Sequence, residues 1–274
     1  MSDDHAGLSI TIPARPKNVA VVRHAVAGLA EQLGMEEPGI GDLKTIVTEA
    51  CMNVVVHAYD EDAGPLEVEA FPDGRELTVV VRDFGGGIRP HPDLDRPSLR
   101  IGLTLIAALS SSFEISGGLD RGTRITMRLP LAANGDGKPP VEAGGDVSGA
   151  ADLKIAGREL IAPVLARTVG ALAARHRIAV DRLSDAYLIT DALAAEAADA
   201  FPDGQTCFSV TDDEAGIDLR VGPVPPGGGT ALREGLAIPA VGGSLESLVD
   251  QVRVEKNERG EYLLVRFAAF EQQL

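Results

Sequence analysis

Residues 48–59, TEACMNVVVHAY, decide how this chain is read. The stretch is a helical run of Ala, Val, Cys and Met into which an acid, Glu49, and an amide, Asn53, are set four positions apart. Residues at i and i+4 point from the same side of a helix, one turn apart. Val47, Met52, Val54 and Val55 supply the faces that pack. Two polar groups on one stripe of such a helix need a solvent-filled or ligand-filled cavity beside them, because burial without partners is costly. Taken alone, Glu49 also fits a cap or a salt bridge across a helix interface, so the neighbouring blocks have to decide.

Residues 79–88, VVVRDFGGGI, end a β-run with Asp83 and three glycines, Gly85, Gly86 and Gly87. Consecutive glycines let the backbone approach a ligand closely while a carboxylate sits at the strand end. A carboxylate there accepts hydrogen bonds from an exocyclic amine, the group that distinguishes adenine from guanine. By itself the block is also an ordinary turn signal. Residues 98–115, SLRIGLTLIAALSSSFEI, set Gly102 just before an apolar helical pattern beginning at Leu103. Free backbone N–H groups at such a helix start make an anion site suited to phosphates. Gly122 and Thr123 then enter a closing strand, where the threonine hydroxyl comes within reach of the same ligand.

Near the midpoint, residues 132–152 (AANGDGKPPVEAGGDVSGAAD) are rich in Gly and Pro without apolar periodicity, the composition of a flexible linker. The second half repeats the first in order. Residues 24–34 match 167–177, and 46–59 match 188–201; 71–81 match 211–221, 98–103 match 231–236, and 121–129 match 259–267. Each half reads as a strand, two helices, two strands joined by a turn, a Gly-rich loop, a helix and a closing strand. The expectation is α+β: a two-layer sandwich with helices on one face of a mixed, mostly antiparallel sheet, repeated in tandem. The domains expected are residues 8–132, a linker over 133–151, and residues 152–274. Across the repeat Glu49 becomes Asp191, Asn53 becomes Ala195, His57 becomes Asp199 and Asp83 becomes Pro223.

Composition excludes several classes. The net charge of −16, from 41 acidic and 25 basic residues, opposes binding to nucleic acid or anionic lipid, and with no Trp and 4% aromatics there are few platforms for stacking bases. A basic protein partner suits this charge better. Cys51 and Cys207 lack metal-like or paired spacing and read as small buried hydrophobes. The first residues carry no secretory pattern, and no apolar run approaches the roughly 18 residues of a membrane span, so the expected location is cytoplasmic.

Acid-x3-amide on a helix, Asp-x-Gly-x-Gly 30 residues after the amide, a glycine at a helix start and Gly-Thr in a closing strand form a joint pattern far more specific than any part of it. Over residues 10–129 it resembles the GHKL, or histidine-kinase-like, ATPase superfamily, and within it the bacterial anti-sigma factors that are also serine-protein kinases. The resemblance implies a two-layer sandwich of that type, with ATP and Mg2+ as ligands. Asn53 would be the metal ligand, and Glu49 the base or orienting group for the attacking hydroxyl. Asp83 would accept from the adenine amine, with Gly85 and Gly87 shaping the pocket floor and Thr123 assisting. Gly102 and Leu103 would belong to a lid over the phosphates. The lid departs from the usual Gly-x-Gly, since Arg100 stands at the first glycine, where it could pair with a phosphate. His57 matches a histidine of the motif but is left out of the catalytic set.

The activity so implied is transfer of the ATP γ-phosphate to a serine of an anti-anti-sigma protein, controlling a sigma factor by exchange of partners. The second half would be a degenerate copy without nucleotide-binding residues, standing in for a second subunit as an intramolecular pseudo-dimer. Two other readings are a non-catalytic ATP-binding switch or scaffold and the ATPase portion of a split histidine kinase. The last needs a dimerising helix with a phosphorylatable histidine, a setting in which none of the five histidines is found.

Overall fold

A computed structural model of the chain describes residues 6–60, 62–87, 97–118, 121–137, 151–176, 180–201, 203–213, 215–238, 243–244 and 248–268. The chain divides into two compact units, Met1–Gly149 and Ala150–Leu274. Residues 138–150 of the expected linker fall outside the described residues.

The first unit runs β1 (Gly7–Pro13), α1 (Pro16–Gln32), α2 (Gly39–His57), β2 (Pro65–Asp83), α3 (Pro97–Leu109), β3 (Ser112–Gly117) and β4 (Thr123–Asp136). Its strands lie in the order β1-β2-β4-β3, all antiparallel. The alternation of the strands sets the register: Ile10 faces Val68 and Ile12 faces Leu66, while Val79 faces Met127 and Val81 faces Ile125. All eight side chains are at most 5% exposed. β2 offers residues 65–70 to β1 and residues 73–82 to β4, so where two strands joined by a turn were expected the structure has one continuous strand that changes partner. Gly74, at φ 63, sits where the register shifts.

Helix α2 follows the spacing read in the sequence at Val47 and Val54, while Met52 and Val55, also expected to pack, are only half-buried. Ile40, Leu43, Ile46, Val47, Ala50, Cys51 and Val54 form its buried stripe, the three-and-four spacing of a helix that covers a core. Fully burying each of the larger side chains contributes about 1.5–3 kcal/mol. Helix α1 begins with Pro16 in its first turn, where a missing N–H costs nothing. The buried Asn18 ties this start to β1, its Nδ2 donating to the Pro13 carbonyl at 2.8 Å. Helix α3 corrects the sequence reading. It starts at Pro97 rather than at Leu103, because proline at the first position opens a helix and the apolar pattern extends upstream through Leu99. Gly102 therefore lies inside α3, and the anion site expected from free N–H groups at Gly102 is not there.

The second unit runs β5 (Ala151–Ala156), α4 (Arg158–Arg175), α5 (Val180–Ala200), β6 (Gln205–Asp213), β7 (Gly216–Val224), α6 (Gly228–Gly235), a short antiparallel pair β8 (Ala237–Ile238) and β9 (Gly243–Ser244), then β10 (Gln251–Asn257) and β11 (Gly260–Ala268). Its sheet order is β5-β6-β7-β11-β10, again antiparallel throughout. Leu153 faces Phe208, Val210 faces Leu219 and Val265 faces Leu219 from the other side. In this order β6 and β7 take the places held in the first unit by the two halves of β2. Among the described residues no helix is long and apolar enough to cross a membrane.

Candidate functional site

Helix α2 positions the first group. Glu49 and Asn53 are both half-buried, and α3 passes beside them. A Cβ built on Gly102 would stand 2.7 Å from Glu49 Oε2 and 3.7 Å from Asn53 Oδ1. Glycine in a helix interior costs roughly 1 kcal/mol relative to alanine, and this close passage is what a glycine permits. Asn53 Nδ2 is buried without a hydrogen-bond partner among the described residues. Such a donor is expensive unless a ligand atom accepts from it.

The second group stands at the end of β2. Asp83 is only 3% exposed, and its Oδ1 accepts the Gly85 N–H at 3.0 Å. Asp83 and Thr123 line one cavity of about 260 Å³ together with Gly122, Ser116 and the arginines Arg82, Arg121 and Arg124. The glycines that follow Asp83 are held in place by backbone contact. The Gly86 N–H donates to the Ala58 carbonyl at 3.1 Å, and a Cβ on Gly85 would sit 1.8 Å from that same oxygen. Gly87 has φ 68 and lies against the Gly118 carbonyl, which a Cβ would meet at 2.0 Å. From the other side the Gly122 N–H donates to the Gly85 carbonyl at 3.1 Å. Backbone this close to backbone leaves no room for a side chain.

Helix α2 links the two groups. Asn53 precedes Ala58, the acceptor from the glycine loop, by five residues, about 7.5 Å of helix rise. Tyr59 completes the link: its hydroxyl donates to the Pro65 carbonyl at 2.6 Å and accepts the Phe84 N–H at 3.0 Å. Burial pushes the Tyr59 phenol above its ordinary value; the hydrogen bond from Phe84 works against this, and the carboxylates of Asp83 and Glu67 add to it. The sequence reading did not single out Tyr59. An aromatic just past a helix end and before a strand carries no periodic signal of its own.

Leu103 is half-buried on α3. Arg100 lies in α3, but its side chain is outside the described residues. His57 is exposed in the last turn of α2, where positive charge suits the helix dipole. Glu49 also borders a second cavity, of about 320 Å³, with Arg23, His24, Lys44, Thr45 and Thr48. The hydroxyls of Thr45 and Thr48 donate to carbonyls of their own helix, at 2.9 and 2.7 Å, so the charge there comes from Arg23 and Lys44. Sequence reasoning missed this wall. The available signal was Arg23, a guanidinium inside the apolar run VAVVRHAVAGLA at residues 19–30.

The described residues contain no cluster of three or more His, Cys, Asp or Glu that could cage a metal. Asn53 oxygen and the Glu49 carboxylate suit a hard cation that keeps waters and takes most of its remaining ligands from phosphates, as Mg2+ does. Both cysteines are free, and burial pushes the Cys51 thiol up to about 12, which makes it unreactive packing.

In the second unit the aligned positions are different in kind. Asp191 and Ala195 are exposed, and Asp199 is ion-paired with Arg158. The helix contact is nevertheless of the same form, since a Cβ on Gly235 would stand 2.7 Å from Glu196 Oε2. The acid that meets the α6 glycine is thus Glu196, one position beyond Ala195, which holds the place of the amide. The start of α6 is occupied by the chain's own carboxylate. Glu261, 2% exposed, accepts the Gly229 N–H at 3.1 Å and pairs with Lys256 Nζ at 2.7 Å.

A helix carrying an acid and an amide, a buried aspartate on a glycine loop and a helix laid across them occur together in the first unit, and residues 12–129 match the histidine kinase-like ATPase domain family. Within it the chain is similar to an anti-sigma F factor from Clostridium kluyveri, 29% identical over 132 residues, which span 44% of this chain and 92% of that protein. It is also similar to the serine-protein kinase RsbW of Bacillus thuringiensis, 36% identical over 78 residues, covering 28% of this chain and 49% of that protein. A solved histidine kinase domain from Erythrobacter litoralis EL346 aligns at 25% identity over 34% of this chain and 48% of that one, with a TM-score of 0.30, an overlap too small to carry an argument.

Proposed function

We propose that the chain is an ATP-dependent serine-protein kinase and anti-sigma factor, acting from residues 8–132. The observation that carries this reading is the orphaned Asn53 amide, buried beside Glu49 where α3 crosses α2. Its N–H suits a phosphate oxygen, and its oxygen suits a cation that bridges phosphates. Mg2+, when bound, would neutralise phosphate charge at that point. Asp83 turns its remaining carboxylate oxygen toward the adenine amine, with Thr123 on the same cavity wall. Gly85 and Gly87 keep that wall thin, and α3 with Arg100, Gly102 and Leu103 covers the phosphates. A serine hydroxyl of a partner protein enters from the Arg23–Lys44 side of Glu49. Its oxygen bonds to the γ-phosphorus as the bond from that phosphorus to the bridging oxygen breaks. Glu49 takes the hydroxyl proton, and ADP leaves. Most of the rate comes from alignment and charge placement, since phosphoryl transfer needs little covalent help from the protein.

The similarity to an anti-sigma F factor and to a serine-protein kinase supports a serine-bearing anti-anti-sigma protein as the acceptor, and a sigma factor as the alternative partner. Residues 152–274 are proposed to be a degenerate copy that has lost the nucleotide site. The shared order of elements and strands supports this, as does the loss of an amide at Ala195.

The test is incubation of the full chain with γ-labelled ATP, Mg2+ and a candidate serine-bearing antagonist. Label should move to serine, and Glu49→Gln should retain ATP binding while losing transfer. Binding of ATP without transfer to any such partner would leave only a switch, and absence of ATP binding would end the reading altogether.

A further inference from the structure

We propose that Tyr59 is a positioning residue for the nucleotide base, holding the Asp83–Gly87 loop in the one conformation that presents the Asp83 carboxylate. This rests on the reading of Asp83 as the adenine-facing group. The phenol joins three pieces of chain: it sits just beyond α2, donates to the carbonyl of the first residue of β2 at 2.6 Å, and accepts from the loop at Phe84 at 3.0 Å. Its ring is packed as tightly as its hydroxyl is bonded, since a Cβ on Gly64 would stand 2.1 Å from a ring carbon.

The consequence lies in how the loop's N–H groups are used. The Phe84 N–H goes to Tyr59, the Gly85 N–H to Asp83 Oδ1, and the Gly86 N–H to the Ala58 carbonyl. Three successive donors are directed inward to the protein. The loop therefore has no N–H at these positions turned toward a ligand, and Asp83, which lines the cavity, keeps one carboxylate oxygen that these donors leave unbound. Beside a loop that offers it no N–H, that carboxylate oxygen favours a base edge bearing an amine, which adenine has, over one bearing a carbonyl, which guanine has there. Release of the Phe84 N–H would turn a donor loose beside that acceptor and blur the distinction. Only a group that donates and accepts at once can make both contacts, and a phenol does so while it remains protonated. Its burial favours that protonated form.

The experiment is calorimetric titration of the full chain and of Tyr59→Phe with ATP, GTP and inorganic tripolyphosphate in Mg2+. In the variant, ATP affinity should fall about tenfold, the worth of one well-made hydrogen bond. GTP and tripolyphosphate should bind as in the wild type, so the preference for adenine collapses. Equal losses for all three ligands, or an unchanged preference, would overturn the proposal, because a merely structural role would not select for the base. Wild-type chain that binds ATP and GTP alike would sink the Asp83 reading and this one with it. Hydrogen exchange on the wild type gives a check independent of how the variant folds. The Phe84 amide must exchange far more slowly than an open amide, and free exchange there removes the contact on which the proposal stands.

Discussion

Asn53 and Asp83 in the first unit, and Glu261 in the second, place buried polar groups in different settings. In the first, Asn53 has a buried amide nitrogen without a protein partner and Asp83 a buried carboxylate on a cavity wall. In the second, the buried carboxylate of Glu261 is already matched by the Gly229 N–H and by Lys256. Polar burial that the chain satisfies for itself is structure. Polar burial left for another molecule to satisfy is a site, because its cost is recovered only on binding. The same contrast holds at the helix crossings. A glycine meets a glutamate in both units, at Gly102 with Glu49 and at Gly235 with Glu196, yet only the first pair has an amide beside it.

The largest test of this contrast exchanges the amide. Asn53→Ala should weaken Mg2+-dependent ATP binding by at least about 100-fold, beyond the roughly 10–100-fold that groups supporting a metal ligand cost. Ala195→Asn should create no binding in the second unit, because position 195 is exposed. Calorimetry on each full-length variant decides, and ATP binding by Asn53→Ala at wild-type strength would remove the metal assignment.

Gly85→Ala comes next. Its Cβ would collide with the Ala58 carbonyl, a backbone atom that cannot swing aside. A cost of about 1–3 kcal/mol is expected, as for other overpacked sites, visible as a lower melting temperature in scanning calorimetry with loss of ATP affinity. An unchanged melting temperature would mean that the loop stands off from α2.

Gly102→Ala and Gly235→Ala separate function from packing. Each gains up to about 1 kcal/mol of helix propensity and pushes only the end of a flexible glutamate. Thermal stability should therefore change little in either. Phosphoryl transfer should fall about tenfold in Gly102→Ala, since displacing a catalytic group by an ångström costs that order or more, and remain unchanged in Gly235→Ala. Equal losses in both would erase the functional difference between the two crossings.

The smallest effect is the pH response of Glu261. Backbone N–H donation from Gly227, reinforced by Lys256, holds its carboxyl below the ordinary 4.5. A depressed folded value favours the charged form. The stability it confers is complete above about pH 4.5 and is lost as pH falls through the lower folded value. Acid titration followed by circular dichroism should show this loss in the wild type, and a shallower acid slope in Glu261→Gln. Superimposable curves would mean that Glu261 is not paired in the folded chain.

Much of the site was legible before any coordinates. The i, i+4 pair in α2, the aspartate before three glycines and the Gly-Thr pair opening β4 are local patterns, and local patterns are written in the order of residues. The start of α3 was misread because Gly102 resembles a helix boundary when only its neighbours are known. Proline at position 97 and the passage against Glu49 decide otherwise. Tyr59, the Arg23–Lys44 wall and Glu261 could not be found by periodicity, since their partners are set by distant pairings such as Pro65 with Pro13 in the β1–β2 register.

By itself the sequence determined the alternation of strands and helices, the apolar stripe of α2 and the polar pair carried on it. It also determined that the positions aligned with Asn53 and Asp83 hold alanine and proline in the second half. These follow from helical and strand periodicity and from residue chemistry, which need no knowledge of distant contacts. Only the tertiary structure decided that Gly102 meets Glu49 and that Asp83 and Thr123 share a cavity. It alone left the Asn53 amide without a protein partner while giving Glu261 two. Whether a buried polar atom is satisfied depends on which residues the closed chain brings within about 3 Å of it, and sequence separation carries no record of that.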